Sequence, residues 1–348
     1  MFAVQCALLK GFGGVYTSLF HYARMFERNG VRSVCLYRGP GADALRDAGL
    51  DVIEAPSIMT SPFFPLSPDP ARLRVEIRKR GEPDFFMAHS DLSMRPLHRM
   101  FPRAIQTTRC HSDNTKHKRG AELVVTLNAA QQELVEKALP GQRVRLFGNP
   151  FVPPADASGP RPDAAPDERV RFNFMGRLEQ VKDPMTLLRA IAAATLPPNT
   201  EVRFFGTGSL EQELREAASL IPLRIDFAGW VDEPFAQFDR GDVLVLLSDW
   251  ESYSWVVRET LFFHVPVIAS DIFVHRDALN GGAFGDLFPV GDAQALSLLL
   301  EQAAANQETL RAKATAGGAA LEARYGAKAF WTKFSAELDA IRAERAQV

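Results

Sequence analysis

Cysteine is scarce: Cys6, Cys35 and Cys110 are the only three in 348 residues, and they stand at no metal-ligand or disulfide spacing. No metal centre is therefore expected, and a reducing compartment suits the chain. No apolar run approaches transmembrane length. The chain opens directly in a strand-like run, FAVQCALL, without a basic leader or small-residue cleavage site, so no signal peptide is expected. Neither sign of charge is in excess: 40 Lys+Arg stand against 42 Asp+Glu, which makes no case for nucleic acid. The P-loop pattern G-x-x-x-x-G-K-[ST] is missing. The dinucleotide fingerprint is missing too, because KGFGG (10–14) would need glycine at Tyr16. The second strand ends in Tyr37 and Arg38 rather than a ribose-binding acid, which leaves an NADP oxidoreductase as a distant alternative.

Charge is unevenly spread. Residues 1–150 hold 21 Lys+Arg and 14 Asp+Glu, and the remainder 19 and 28. The basic residues gather at 72–80, at Arg95, Arg99, Arg103 and Arg109, and at KHKR (116–119). Such a face is either simply solvated or drawn to anionic headgroups or an anionic acceptor.

Strand-like and helical segments alternate from the start. FAVQCALL and RSVCLYRG (32–39) read as strands around an amphipathic helix at 15–30, and short apolar runs recur to LVVTLN (123–128). At 151–168 Pro, Ala, Asp and Gly dominate and periodicity stops, which reads as a linker. Alternation then resumes through VRFNFMG, EVRFFG, RIDFAG, DVLVLLS and PVIAS. The expected fold is α/β: two tandem Rossmann-like doubly wound domains facing across a cleft. The N-terminal domain covers 1–150 with a returning helix at about 325–345, and the C-terminal domain covers 169–324. Ligands of such sheets bind beyond the C-terminal strand ends, so the loops there matter most.

Four of those loops carry chemistry. KGFGG lies between the first strand and helix, where Gly13 and Gly14 permit close backbone approach to a ligand; the alternative is a tight turn. MGRLEQVKD (175–183) places Arg177 and Lys182 at a strand end, as a diphosphate requires; the alternative is surface charge. FGTGS (205–209) holds Gly206 and Gly208 in another strand-to-helix turn. DWESYSWVVRETLFFHVPVIASD (249–271) puts Glu251 in a loop and Glu259 in a predicted helix over 255–263. Carboxylates accept bonds from sugar hydroxyls, and the amides of Ser252, Tyr253, Ser254 and Trp255 open that helix, where phosphate binds. Cation, helix N-terminus and polyol acceptors together fit a nucleoside-diphosphate sugar.

GRLEQVKD followed by ESYSWVVRETLFFHVPVIASD resembles the retaining glycosyltransferases of family 4, of GT-B fold, in their G-R-L…K and E-x7-E elements. The resemblance extends to FGTGSLEQEL and FAGWV, and more loosely to FGGVYTSL, MAHS (87–90), RCHSD (109–113) and LFGNPF. It implies Arg177 and Lys182 on the donor diphosphate, Glu259 on the ribose and Glu251 on the transferred sugar. It places His111 near the anomeric centre, Gly13 and Gly14 at the donor–acceptor junction, and Gly206, Gly208 and Val231 near the nucleotide. His89 is a second strand-end histidine. Ser252 and Ser254 stand where the family often has glycine, and His264 replaces a frequent glycine.

The expected activity is retaining, metal-independent transfer of a hexose from a nucleotide sugar, UDP-linked by preference or GDP-mannose, to a glycan or lipid-linked acceptor. Lipopolysaccharide, capsule or exopolysaccharide assembly is the implied setting, in the cytoplasm and on the inner-membrane face through the basic half. No cofactor is expected, and domain closure would exclude water. A catalytically silent nucleotide-binding scaffold and a nucleotide-sugar epimerase on the same fold are the alternatives.

Overall fold

The computed structural model describes residues 1–9, 13–153 and 169–347. It divides into two compact units, Met1–Pro153 with Ala323–Val348, and Pro154–Glu322. From residue 154 the expected linker lies outside the described residues, as do residues 10–12 of the glycine loop.

The first unit is built on seven parallel strands: β1 (Phe2–Leu8), β2 (Arg32–Arg38), β3 (Val52–Glu54), β4 (Phe85–Ala88), β5 (Ile105–Arg109), β6 (Leu123–Thr126) and β7 (Val144–Leu146). Their order is β3-β2-β1-β4-β5-β6-β7. Helices α1 (Gly14–Arg28), α2 (Ala42–Asp47), α3 (Asp69–Arg78), α4 (Met94–Met100) and α5 (Ala129–Ala138) connect them. A strand covered on both faces must be apolar at every position, and FAVQCAL is buried from Phe2 to Ala7. Its residues alternate between two cores. Phe2, Val4 and Cys6 pack with Leu73 and Ile77 of α3 and Leu97 of α4. Ala3 joins Tyr22 and Phe26 of α1.

The second unit has six parallel strands: β8 (Arg171–Met175), β9 (Glu201–Phe205), β10 (Arg224–Gly229), β11 (Asp242–Leu246), β12 (Val267–Ser270) and β13 (Asp286–Phe288). Their order is β10-β9-β8-β11-β12-β13. Helices α6 (Pro184–Ala193), α7 (Glu211–Ala218), α8 (Trp255–Phe262), α9 (Phe273–Ala278), α10 (Ala293–Ala305) and α11 (Glu308–Tyr325) accompany them. Phe172, Phe174, Val243 and Val245 meet Leu187 of α6 and Leu296 of α10 in one core. The last helix, α12 (Ala327–Arg345), belongs to the first unit, where Phe330, Phe334 and Leu338 complete the core around Phe26 and Phe85.

At the N-terminal strand ends of the second unit the charges are paired. Arg171 donates to Glu201 (2.9 Å) and Asp242 (3.0 Å), and Arg203 donates to Asp242 (2.7 Å). This ties β8, β9 and β11 together at the edge opposite their C-terminal loops. In both sheets the strand order reverses beside the first strand, between β1 and β4 and between β8 and β11. Loops diverge there, and a crevice opens at the C-terminal ends.

Candidate functional site

In the second unit the loops after β8, β9 and β10 are joined backbone to backbone. Gly176 N–H donates to Phe205 O (3.0 Å), Leu178 N–H to Thr207 O (2.9 Å), and Gly206 N–H to Gly229 O (2.7 Å). This explains the two glycines of FGTGS. A Cβ on Gly206 would collide with the Gly176 carbonyl, and one on Gly208 with the Leu178 backbone. Gly206 also has φ +129°, which strains any other residue. Gly206→Ala should therefore cost about 2–4 kcal/mol of stability, read as a lower denaturant midpoint. An unchanged midpoint would show that the loops part freely. The requirement for glycine here is internal packing, whatever else the loop touches.

Gly13 differs. Its φ of 163° is ordinary extended backbone, and an added Cβ would meet nothing within 4 Å. No described neighbour demands glycine there. Gly14 is the first residue of α1.

The joined loops hold Lys182 at the sheet's switch point. It ends a 3-10 turn, Gln180–Lys182, and Asp183 then turns left-handed (φ 44°) so that Pro184 can begin α6. Asp249 N–H donates to Val181 O (3.1 Å), which bridges the loops after β8 and β11. Lys182 Nζ pairs with Glu251 Oε1 across that bridge, and Ser248 Oγ donates to the same oxygen (3.2 Å). The two side chains are 21% and 18% exposed, so the pair is sheltered yet reachable. Arg177 is exposed nearby. Glu179, in the same loop, accepts from Ser209 Oγ (2.7 Å) and N–H (3.1 Å), and these bonds, with the charge of Arg177, hold its carboxyl below its ordinary value.

The turn after Glu251 is buried and specific. Tyr253 and Ser254 are buried, and Trp255 stacks edge-on to Tyr253 at 5.1 Å. Ser252 is half-buried. Ser254 adopts φ 50°, and its buried Oγ has no hydrogen-bond partner among the described residues. Beneath the turn lies Arg258, fully buried with its guanidinium 3.6 Å from the centre of the Tyr253 ring. It donates to the carbonyls of Tyr253 and Ser254. The first turn of α8 has neither a side-chain cap nor an acid. Glu259 follows one turn on, half-buried, and burial pushes its carboxyl up to about 7. Val231 is half-buried after β10.

In the first unit His89 and His111 meet at the other switch point. His89 Nδ1 lies 3.3 Å from His111 Nε2, and His89 Nε2 lies 3.0 Å from the Gln5 amide on β1. The Gln5 amide fits its surroundings with nitrogen toward His89, since it then also donates to Leu19 O. That orientation makes His89 Nε2 an acceptor and its Nδ1–H the donor to His111. Burial first, then Arg109, holds both imidazoles well below their usual range and therefore neutral. Tyr22 lies edge-on to His89 at 5.3 Å and accepts from Arg109 (3.2 Å).

Every site residue read from the sequence thus lies at a C-terminal strand end or in the helix that follows, in two groups, one per unit. Sequence reasoning missed the supporting residues. Arg258 hides in an apolar helix stretch, its one signal being a charge among buried neighbours. His275 is fully buried in α9, with Nδ1 2.9 Å from Ser270 O, and Ser270 Oγ donates to Ser248 O (2.6 Å) behind Glu251. Trp230 and Trp250, 76% and 66% exposed, follow β10 and β11 and were also passed over.

Residues 160–319 match the family model described as "Glycosyl transferases group 1". A Campylobacter jejuni α-1,4-N-acetyl-D-galactosaminyltransferase acting on GalNAc-α-(1→4)-GalNAc-α-(1→3)-diNAcBac-PP-undecaprenol is 33% identical over 131 residues. That alignment spans 37% of this chain and only 36% of the relative's own length. A Rhizobium meliloti lipopolysaccharide core biosynthesis glycosyltransferase, LpsE, is 24% identical over 84% of this chain and 86% of its own. Among solved structures, Anabaena HepE in complex with UDP and glucose superposes with a TM-score of 0.73 at 16% identity, over 98% of this chain and 100% of that one. The resemblance to GT-B glycosyltransferases drawn from the sequence is borne out, and the fold is theirs.

Proposed function

We propose that the protein is a retaining glycosyltransferase that moves a sugar from a nucleoside-diphosphate sugar, UDP-linked by preference, to a glycan or glycolipid hydroxyl. The observation that carries this reading is the Lys182–Glu251 pair at the switch point of the second sheet, with exposed Arg177 in the same loop as Lys182 and α8 starting four residues after Glu251. Two cations and the N-terminal end of a helix suit a diphosphate. Two carboxylates beyond it suit the hydroxyls at either end: Glu259 for the ribose, Glu251 for the sugar.

In this reading the bond from the anomeric carbon to the phosphate oxygen breaks, and its electron pair leaves with the diphosphate. The acceptor oxygen bonds to the anomeric carbon on the same face, and its proton passes to the departing phosphate oxygen. Arg177, Lys182 and the α8 amides stabilise the charge that develops on the leaving group. In the first unit His111 is neutral and is oriented through His89, so it can offer a hydrogen bond to a ligand without adding charge. Retention rests on the family resemblance. So does independence from a metal, with the two cations neutralising the phosphates.

The HepE complexes with UDP and UDP-glucose favour a UDP-sugar, and the Campylobacter and Rhizobium relatives favour lipid-linked or lipopolysaccharide acceptors. The setting proposed is the cytoplasmic membrane face. No described helix is long and apolar enough to cross a membrane, so association would be peripheral. Calorimetric titration with UDP and GDP tests the donor site. One nucleotide should bind with Kd in the micromolar range, about −8 kcal/mol. Folded protein that binds neither would sink the transferase reading and favour the silent scaffold.

A further inference from the structure

The first unit carries a cavity of about 760 Å³ that no step above uses. It lies among the loop after β3, helix α4 and the loop after β5, and its size is that of an ordinary ligand pocket. Arg95, Arg99, Lys116 and Arg119 line it with half-buried His117, and no acidic side chain is among the described lining residues. Arg95 and Arg99 sit four apart on α4, where like charges repel. None of the four Arg and Lys residues makes an ion pair with another described residue, although elsewhere in this unit Arg46, Arg78 and Arg80 are paired. Positive charge gathered without a partner is relieved by an anion, and guanidinium groups favour phosphate.

The same cavity has an apolar wall. Met59, Pro62, Pro65, Leu92 and Met94 line it. Beside Pro62 and Pro65, Phe63 and Leu66 stand 71% and 84% exposed. Large apolar side chains left in water next to a cationic pocket mark a surface that meets an amphiphile.

We infer that this cavity binds a phosphate-bearing amphiphile, with the phosphates on Arg95, Arg99, Lys116 and Arg119 and the hydrocarbon against Leu92, Phe63 and Leu66. The inference rests on the transferase reading only in making this ligand the acceptor: the pocket selects acceptors anchored to lipid through phosphate.

The test is calorimetry on the full chain with octyl diphosphate below its micelle concentration, inorganic pyrophosphate and octanol, each with and without saturating UDP. Octyl diphosphate should bind at least tenfold tighter than pyrophosphate, octanol should not bind, and UDP should not compete. Arg95→Glu with Arg99→Glu should weaken octyl diphosphate tenfold or more and leave the Kd for UDP unchanged. Leu66→Ser should weaken octyl diphosphate severalfold and pyrophosphate not at all. Lys116→Glu with Arg119→Glu serves if the α4 pair misfolds. Octyl diphosphate binding that survives charge reversal, or that UDP displaces, overturns the proposal; so does equal affinity for pyrophosphate, which would make the ligand a soluble anion. If UDP fails to bind while octyl diphosphate behaves as stated, the donor reading falls and this one stands.

Discussion

Replacing Lys182 by alanine should lower kcat by about 10²–10³-fold, a loss of roughly 3–4 kcal/mol of transition-state stabilisation. The ammonium is already in place before substrate arrives, fixed by Glu251 and by the Asp249–Val181 backbone bond. A preorganised cation costs nothing to orient as charge develops on the diphosphate. Substrate binding should weaken less than kcat falls, because the leaving diphosphate carries more charge in the transition state than in the ground state. Lys182→Arg tests whether charge alone suffices. It keeps the cation but spreads it over a fork that the Glu251 oxygen does not match, so recovery should be partial. The measurement is steady-state release of nucleoside diphosphate. A variant that keeps a third or more of wild-type kcat would remove Lys182 from the chemistry. Lys182 and Glu251 touch, so the Lys182→Ala and Glu251→Ala effects should not add; a double variant close to the worse single one is expected.

The strands that carry these residues were legible because a parallel sheet covered on both faces leaves continuous apolar runs, and DVLVL is buried throughout. Two strands escaped. β7 and β13 are three residues each, VRL and DLF, too short for either period to register. The chemistry was legible as residue types at strand ends, but not as pairings. Nothing in GRLEQVKD says that Lys182 closes on Glu251, 69 positions later.

His264 shows why a departure from a motif can mislead. The resemblance marks it as a position often held by glycine. Its φ is +56°, and it ends α8 in a Schellman arrangement, with His264 N–H donating to Leu261 O and Val265 N–H to Thr260 O, both at 3.0 Å. The backbone shape is therefore kept at a cost in strain. The imidazole that glycine would have lacked is housed by a second glycine: a Cβ on Gly318 would come within 2.6 Å of the His264 ring. The compensating residue is far along the chain, in α11, and no local reading connects the two. Arg258 is similar. Its role under Tyr253 depends on a turn whose left-handed Ser254 is not signalled by the residue type.

Glu259→Gln should separate binding from stability in opposite directions. An ionised carboxylate accepting ribose hydroxyls contributes about 1.5–3 kcal/mol, so the amide should weaken nucleotide affinity about 10- to 150-fold. The pH dependence follows from the carboxyl held at about 7 in the empty site by burial. Hydrogen bonds to the charged form draw the proton off, so wild-type affinity should weaken as pH falls below about 7, by up to tenfold per unit, while the Gln variant stays flat. Stability runs the other way. The ordinary value is 4.5 and the folded value is higher, so the native state holds this proton more tightly than the unfolded chain. The stabilisation is fully present below pH 4.5 and is lost as pH rises through 7. At pH 8 the folded protein thus carries a half-buried charge for which no ion pair is seen among the described residues, at a cost on the order of 1–2 kcal/mol after solvent screening. Glu259→Gln removes that cost. It should be more stable than wild type at pH 8 and equal to it at pH 4, in the same samples that have lost nucleotide affinity. Equal stability at both pH values would mean that water reaches the carboxylate freely. Lost affinity without the pH slope would leave Glu259 a packing residue rather than the ribose acceptor. The proposed ribose contact gives a reason for a carboxylate to be kept at this position despite that cost.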